Sequence, residues 1–249
     1  MQNRLLAFLA LLLIAGCQSD KREITLTVST ASSMEESFRE IEGLFEDEYP
    51  DIDITYNFGG TGTLRKQVEQ GAPVDLFVSA SEKDTNILIN KKLVEESINF
   101  LSNQIVVIVP SNSSFTQFED LLRDGKKLAI GTPSFVPAGM YAKEALEQLG
   151  LWQKVESSLV PTKDVRAALT LVENSGVDGG FVYDSDAVQS KKVNVIHRID
   201  PEKHSPILYS VSILKESEHK DEAKLFYEFI QNESSQQIFE EDGFSEVGG

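Results

Sequence analysis

Five positions in this chain of 249 residues stand where a strand meets a helix and carry small or hydroxyl-bearing residues, or backbone left bare by them. Ser32 lies in the run Ser29-Thr30-Ala31-Ser32-Ser33, and Thr61 in Gly59-Gly60-Thr61-Gly62-Thr63. Ala138 follows Pro137 within Val136 to Gly150. Proline suits a first helical turn, and Ala138 and Gly139 are too small to cover their own N–H groups. Val165 falls in the first turn of the helix expected after Thr162, and Tyr183 ends Gly179-Gly180-Phe181-Val182-Tyr183. Hydroxyls and helix-start N–H groups are donors, and the helix dipole adds to them, so such corners suit a small anion. The same residues also serve as plain N-caps and tightly packed αβ junctions, a reading that each corner taken singly leaves open.

Hydrophobic patterning supplies the elements that hold these corners. Ile24 to Val28, Ile52 to Phe58, Val74 to Val78, Ile105 to Val109 and Leu128 to Gly131 read as strands, as do 179–183, Val193 to Ile199 and Ile207 to Leu214. Met34, Phe38, Ile41, Leu44 and Phe45 repeat at helical spacing, and so do Ala142, Ala145, Leu146 and Leu149. Ser32-x-x-Glu35 and Ser33-x-x-Glu36 fit a capping box, Ser81-x-x-Asp84 caps the next helix, and Thr162 reads as the N-cap of the helix through Ala167, Leu169 and Val172. Short helices are expected at 118–123 and 185–190, with amphipathic helices over Lys220 to Gln231 and Ser234 to Glu241 near the C-terminus. Strand and helix alternating in this way predict an α/β fold with a largely parallel sheet.

Composition narrows the function. Forty Asp and Glu against 23 Lys and Arg give a net charge of −17, which argues against nucleic acid and against docking to anionic lipid through basic residues. An anion ligand is still compatible with this, because exposed charges are screened beyond about 8–10 Å while a buried site sets its own potential. His197, His204 and His219 have no spaced partner for zinc or a catalytic triad, and no Gly-x-Ser-x-Gly elbow exists, which leaves a hydrolase the least favoured reading. The glycine cluster at 59–62 lacks the Lys-Ser/Thr of a phosphate loop. At the N-terminus, Arg4 precedes the apolar run Leu5 to Ala15 and then Gly16-Cys17, the pattern of an export signal over 1–16. Cys17 is the only cysteine, so no intramolecular disulfide can form.

Leu13-Ile14-Ala15-Gly16-Cys17 resembles the lipobox of bacterial lipoproteins, which implies that Cys17 is diacylated and becomes the N-terminus, followed by a tether to residue 23. Over residues 24–245 the chain resembles the periplasmic molybdate-binding proteins, the solute-capture subunits of molybdate ABC transporters. The resemblance is carried by Thr63-Leu64 and Gln70-Gly71-Ala72-Pro73-Val74-Asp75-Leu76-Phe77, then by Val136-Pro137-Ala138-Gly139-Met140-Tyr141-Ala142-Lys143-Glu144-Ala145-Leu146. Asp164-Val165-Arg166 and Val182-Tyr183-Asp184-Ser185-Asp186-Ala187 complete it in the same order.

That resemblance implies a two-lobed periplasmic-binding-protein fold of type II, with two hinge crossovers near Leu101–Gln104 and Pro201–Pro206. Lobe one would comprise 24–101 and 206–249, lobe two 102–205. It places the oxyanion contacts on Ser32 and Thr61 in lobe one, and on the N–H groups of Ala138 and Val165 with the Tyr183 hydroxyl in lobe two. Molybdenum would enter only as the bound oxyanion, molybdate or tungstate, with no direct metal ligand, no cofactor and no catalysis; sulfate or phosphate is the alternative cargo. The implied partners are an ABC permease and its ATPase, for a monomer lipid-anchored at the outer face of the bacterial cytoplasmic membrane or in the periplasm. Four positions depart from the family pattern. Thr61 stands where serine is frequent, Gly59-Gly60 replaces bulkier polar residues and is expected to loosen that loop, and Asp184 replaces a neutral glycine and is expected to point outward.

Overall fold

Leu76 and Val78 face one side of their strand and Phe77 the other, and a hydrophobic layer meets each side. A sheet buried on both faces needs helices on both, and the computed structural model, which describes residues 24–123 and 125–247, shows that arrangement twice. The export signal and Cys17 lie outside the described residues.

In chain order the first part runs β1 (Ile24–Ala31), α1 (Glu35–Glu48), β2 (Ile52–Gly59), α2 (Thr61–Glu69), β3 (Leu76–Ser79), α3 (Glu82–Asn90) and β4 (Val94–Ser102). The chain then makes β5 (Ile105–Pro110), α4 (Phe118–Leu121), β6 (Leu128–Gly131), α5 (Pro137–Gln148), α6 (Trp152–Val155), β7 (Leu159–Thr162), α7 (Val165–Glu173), β8 (Gly179–Tyr183), α8 (Asp184–Val188) and β9 (Val193–Arg198). It returns through β10 (Leu208–Leu214), α9 (Lys220–Phe229), α10 (Glu233–Glu241) and β11 (Ser245–Glu246). The first sheet has the order β11-β4-β10-β3-β1-β2 and the second β7-β6-β8-β5-β9. Two lobes result, and the chain passes between them at 103–104 and again at 199–207.

The expectation of a largely parallel sheet is corrected to two mixed sheets. β1 runs parallel to β2 and β3, and β6 to β7 and β8, but β10 is antiparallel to β3 and β4, and β5 to β8 and β9. β10 and β5 are the strands that enter each lobe from the other, where no crossover helix sets their direction, and the short β11 is antiparallel to β4 as well. β4 carries little strand signal in the sequence, since Val-Glu-Glu-Ser-Ile-Asn-Phe-Leu-Ser is mostly polar. It is one strand in from the sheet's edge, and only Phe100 and Leu101 are buried.

Packing differs between the lobes. In lobe one, α1 lays Phe38 and Phe45 against Phe226 and Phe229 of α9, with ring centroids 4.9–6.1 Å apart in mostly edge-to-face contacts. Asp75 is buried there as a staple: its carboxylate accepts from the Thr27 N–H (2.8 Å) and from Ser217 Oγ (2.6 Å). In lobe two the contacts are close enough to require glycine. A Cβ on Gly139 would fall 1.8 Å from the Gly131 carbonyl oxygen, so α5 lies directly on the end of β6. Gly150, with φ +69°, ends the turn after that helix where a left-handed residue is needed.

One buried charge in lobe two is not fully matched. Asp186 is completely buried; its Oδ2 accepts from the Tyr183 N–H at 3.2 Å, while Oδ1 has no hydrogen-bond partner and stands 3.9 Å from Arg166. Burial pushes its pKa from 3.8 to about 7, against the opposing pull of Arg166 and the Tyr183 N–H.

Two outcomes follow from these contacts. Gly139→Ala is expected to cost about 1–3 kcal/mol through overpacking, seen as a melting point lower by roughly 2–12 °C; an unchanged melt would mean that α5 does not depend on this approach. For Asp186, the folded protein holds a proton between pH 3.8 and about 7 that the unfolded chain has released, so its stabilising effect is lost as pH rises through about 7. The gap in melting temperature between Asp186→Asn and wild type should therefore move in the variant's favour from pH 5 to pH 8, and a constant gap would refute the assignment.

Candidate functional site

Ser32, Thr61, Ala138, Val165 and Tyr183 line one cleft between the two sheets, together with neutral neighbours that include Gly59, Gly60 and Pro137. The cleft is small, at most about 190 Å³, below the roughly 300–1,000 Å³ of pockets that take organic ligands. All five residues come just beyond, or at the end of, the C-terminal ends of β1, β2, β6, β7 and β8. This is where open α/β sheets hold ligands, because helix N-termini converge there.

Each corner is built by its own local sequence. At the end of β1, Ser32 opens a short 3-10 turn, Ser32–Met34, before α1. The two expected capping boxes do not form: α1 begins at Glu35 with Met34 as an N-cap that makes no side-chain bond. Ser33 Oγ instead pairs with the Tyr209 hydroxyl at 2.9 Å, a partner 176 residues away. Thr61 is the first residue of α2, and its Oγ1 accepts from the Ala80 N–H at 3.2 Å. A hydroxyl that accepts through a lone pair still has its proton to donate, so Thr61 is oriented as a donor.

In lobe two, α5 starts at Pro137 with no side-chain cap, and its first intrahelical bond runs from Met140 N to Val136 O. The N–H of Ala138 precedes that bond and has no acceptor within the helix. The N-cap of α7 is Asp164, not Thr162, which belongs to β7 and donates to the Asp164 carbonyl at 2.7 Å. The Asp164 carboxylate takes the N–H of Ala167 at 2.8 Å, which leaves the Val165 N–H ahead of it without an intrahelical partner. Thr132 binds the two corners together, its N–H and Oγ1 both donating to the Thr162 carbonyl (2.9 and 2.8 Å).

Tyr183 is the most constrained of the five. It is almost wholly buried, and its hydroxyl has no hydrogen-bond partner. Burial, aided by the neighbouring ionisable Tyr209 hydroxyl, raises its pKa well above the ordinary 10, so it stays a protonated donor. The Tyr209 ring packs edge-on to it with centroids 5.8 Å apart, and the Tyr209 hydroxyl pairs with Ser33. Asp184, next in the chain, is not in the cleft; it pairs with Arg198 of β9.

Sequence reasoning missed how closely the opposite lobe approaches the glycines. A Cβ on Gly60 would lie 2.9 Å from the Lys163 carbonyl oxygen, and one on Gly62 2.8 Å from that of Phe135. Of the pair expected to loosen the loop, Gly60 instead admits lobe two while Gly59 faces Leu64 of its own lobe, and the Gly62 N–H donates across the cleft to the Phe135 oxygen at 3.0 Å. The glycine run itself was the only signal. Among the described residues no group of three or more His, Cys, Asp and Glu could hold a metal ion. His197 stacks on Phe118 in lobe two, away from the cleft.

This geometry can hold a small anion in a water-poor space through hydroxyl and backbone donors, with no charged side chain among its lining residues. Comparison with known proteins agrees in kind. Residues 26–245 match the family model described as bacterial extracellular solute-binding protein. A Bacillus subtilis (strain 168) protein whose name assigns it as an ABC transporter substrate-binding lipoprotein, YvgL, is 41% identical over 96% of this chain and 95% of its own. The molybdate-binding protein ModA of Escherichia coli (strain K12) is 36% identical over 88% of each chain. The periplasmic molybdate-binding protein of Azotobacter vinelandii, at 21% identity, shares the two-lobed fold with a TM-score of 0.79 over 88% of this chain and 98% of that one. The chain belongs to the bacterial extracellular solute-binding proteins.

Proposed function

We propose that this protein captures molybdate, and tungstate with it, outside the cytoplasm and delivers the oxyanion to an ABC transporter. The observation that carries the reading is the Tyr183 hydroxyl, fully buried, protonated and without an acceptor. A buried donor left unpaired costs about 1–3 kcal/mol, which an oxyanion in the cleft would relieve. The molybdate-binding relative at 36% identity supports the choice of ligand.

Ser32 and Thr61 supply hydroxyls from lobe one, and Ala138, Val165 and Tyr183 supply two N–H groups and a hydroxyl from lobe two. A tetrahedral dianion accepts many hydrogen bonds and donates none, and each bond to a charged partner contributes about 1.5–3 kcal/mol. The helix-end N–H groups are fixed before the ligand arrives, so little reorganisation opposes binding. Selection is by size: sulfate, with shorter bonds, leaves some donors unsatisfied. Molybdate and tungstate are nearly equal in size and are held alike. The lobes close about a hinge at the crossovers near 101–104 and 201–206. The chain works as a monomer, anchored through lipid on Cys17, with a permease and its ATPase as partners.

Thermal melts with molybdate, tungstate, sulfate and phosphate test the cargo. A ligand at 100 times its dissociation constant adds about 2.7 kcal/mol, a rise of roughly 5–10 °C here. Molybdate and tungstate are expected to give that rise and sulfate none; a rise with sulfate or phosphate alone would change the cargo and keep the cleft. In the Ser32→Ala/Thr61→Ala variant the free protein should still melt cooperatively, somewhat below wild type because the Ala80 N–H loses its acceptor, while the molybdate response disappears, and a retained response would remove these two residues from the site. A pull-down from membranes of the native host should recover a permease; its absence would count against delivery to a transporter.

A further inference from the structure

The cleft is bridged by groups that do not line it. On one rim, Arg166 of α7 reaches from lobe two to Glu36 of α1 in lobe one, Nη2 to Oε1 at 2.5 Å. On another, Lys66 of α2 stands 4.0 Å from the centre of the Phe135 ring, beside the Gly62 N–H bond to the Phe135 carbonyl. The two bridges differ in construction. Arg166 is held within its own lobe, Nη1 donating to Gln189 Oε1 at 3.2 Å and lying 3.9 Å from buried Asp186. Its side chain is 21% exposed, that of Glu36 58%. An arginine already positioned by lobe two thus meets a largely solvated glutamate carried by lobe one.

Position in the sequence ties this pair to the cleft. Arg166 is the residue after Val165, and Glu36 stands one helical turn beyond Ser32. The closure that brings Ser32 and Val165 onto one ion therefore brings Glu36 and Arg166 together. Opening separates them, since they share no element or lobe.

We propose that Arg166 and Glu36 form a clasp that holds the lobes shut and sets how fast bound oxyanion leaves, without touching it. Both are positioning residues, and the proposal rests on the capture function above. The pair contributes only once the lobes have met, so it slows departure and leaves arrival unchanged. Preorganisation by Gln189 and Asp186 spares the entropy of fixing the arginine at closure. Because Glu36 is well exposed, the contribution is modest and screened by salt.

The test is the dissociation rate of labelled molybdate chased with excess unlabelled molybdate, for wild type, Glu36→Gln and Glu36→Lys. At low ionic strength Glu36→Gln is expected to release roughly twofold to fivefold faster, and Glu36→Lys, which repels Arg166, faster still. Association rates should be equal, and in 1 M NaCl wild type and Glu36→Gln should converge. An unchanged dissociation rate in both variants, with wild type binding molybdate, would overturn the clasp and leave the capture function standing. Should wild type bind no molybdate, the capture reading fails, and small-angle scattering of the free proteins decides the clasp alone. A larger radius of gyration for Glu36→Lys than for wild type would then support it, and equal radii would overturn it.

Discussion

A hydroxyl with no acceptor inside a protein is a standing cost of about 1–3 kcal/mol, and Tyr183 carries such a hydroxyl at the centre of this molecule. The fold can bear that cost because both sheets are packed on two faces and buried polar groups such as the Asp75 staple are matched elsewhere. Around Tyr183 the helix starts at Ala138 and Val165 add N–H groups that their own helices cannot use. Placing these donors at the ends of β6, β7 and β8 fixes their directions to the framework, and Thr132 and Gly139 keep the corners from moving apart. The structure is thus organised around an unfilled requirement for acceptors.

That requirement is compatible with a strongly acidic chain. The sequence carries forty Asp and Glu, yet the residues lining the cleft carry no charge, and the carboxylates beside them in the chain are engaged elsewhere: Asp164 caps α7, Asp184 pairs with Arg198, and Asp186 is drawn toward protonation. Neutral donors also explain how size could decide selection. A charged lysine would attract any anion, whereas directed N–H and O–H groups reward only one that reaches all of them.

The corners were legible in the sequence because each depends on residues within one turn of it. Pro137, the small residues after it and the glycines around Thr61 act through their own backbone, so their type and spacing are enough. What was not legible depends on distant partners. Ser33 has the look of an N-cap because its pairing with Tyr209 spans 176 residues, and Thr162 has it too, although its place in β7 beside Gly131 of β6 leaves the cap to Asp164. The antiparallel direction of β5 and β10 follows from how the chain passes between lobes, which no local pattern encodes. Likewise Gly60 and Gly62 announce flexibility by type, while their bareness serves the approach of Lys163 and Phe135.

The placement of β10 has a consequence for biosynthesis. It lies between β3 and β4, and β4 hydrogen-bonds only to β10 and β11, so more than a hundred residues separate a strand from its first partner. The second sheet, by contrast, draws all its strands from one unbroken segment, 105–198. A nascent chain can therefore assemble the second sheet while the first still lacks its central strand, and it cannot join β3 to β4 until residue 214 has been made. Such long-range pairing is intrinsically slow to form. For an exported protein that delay is useful, since a polypeptide that cannot finish folding until a strand this late in its order has emerged stays threadable for longer.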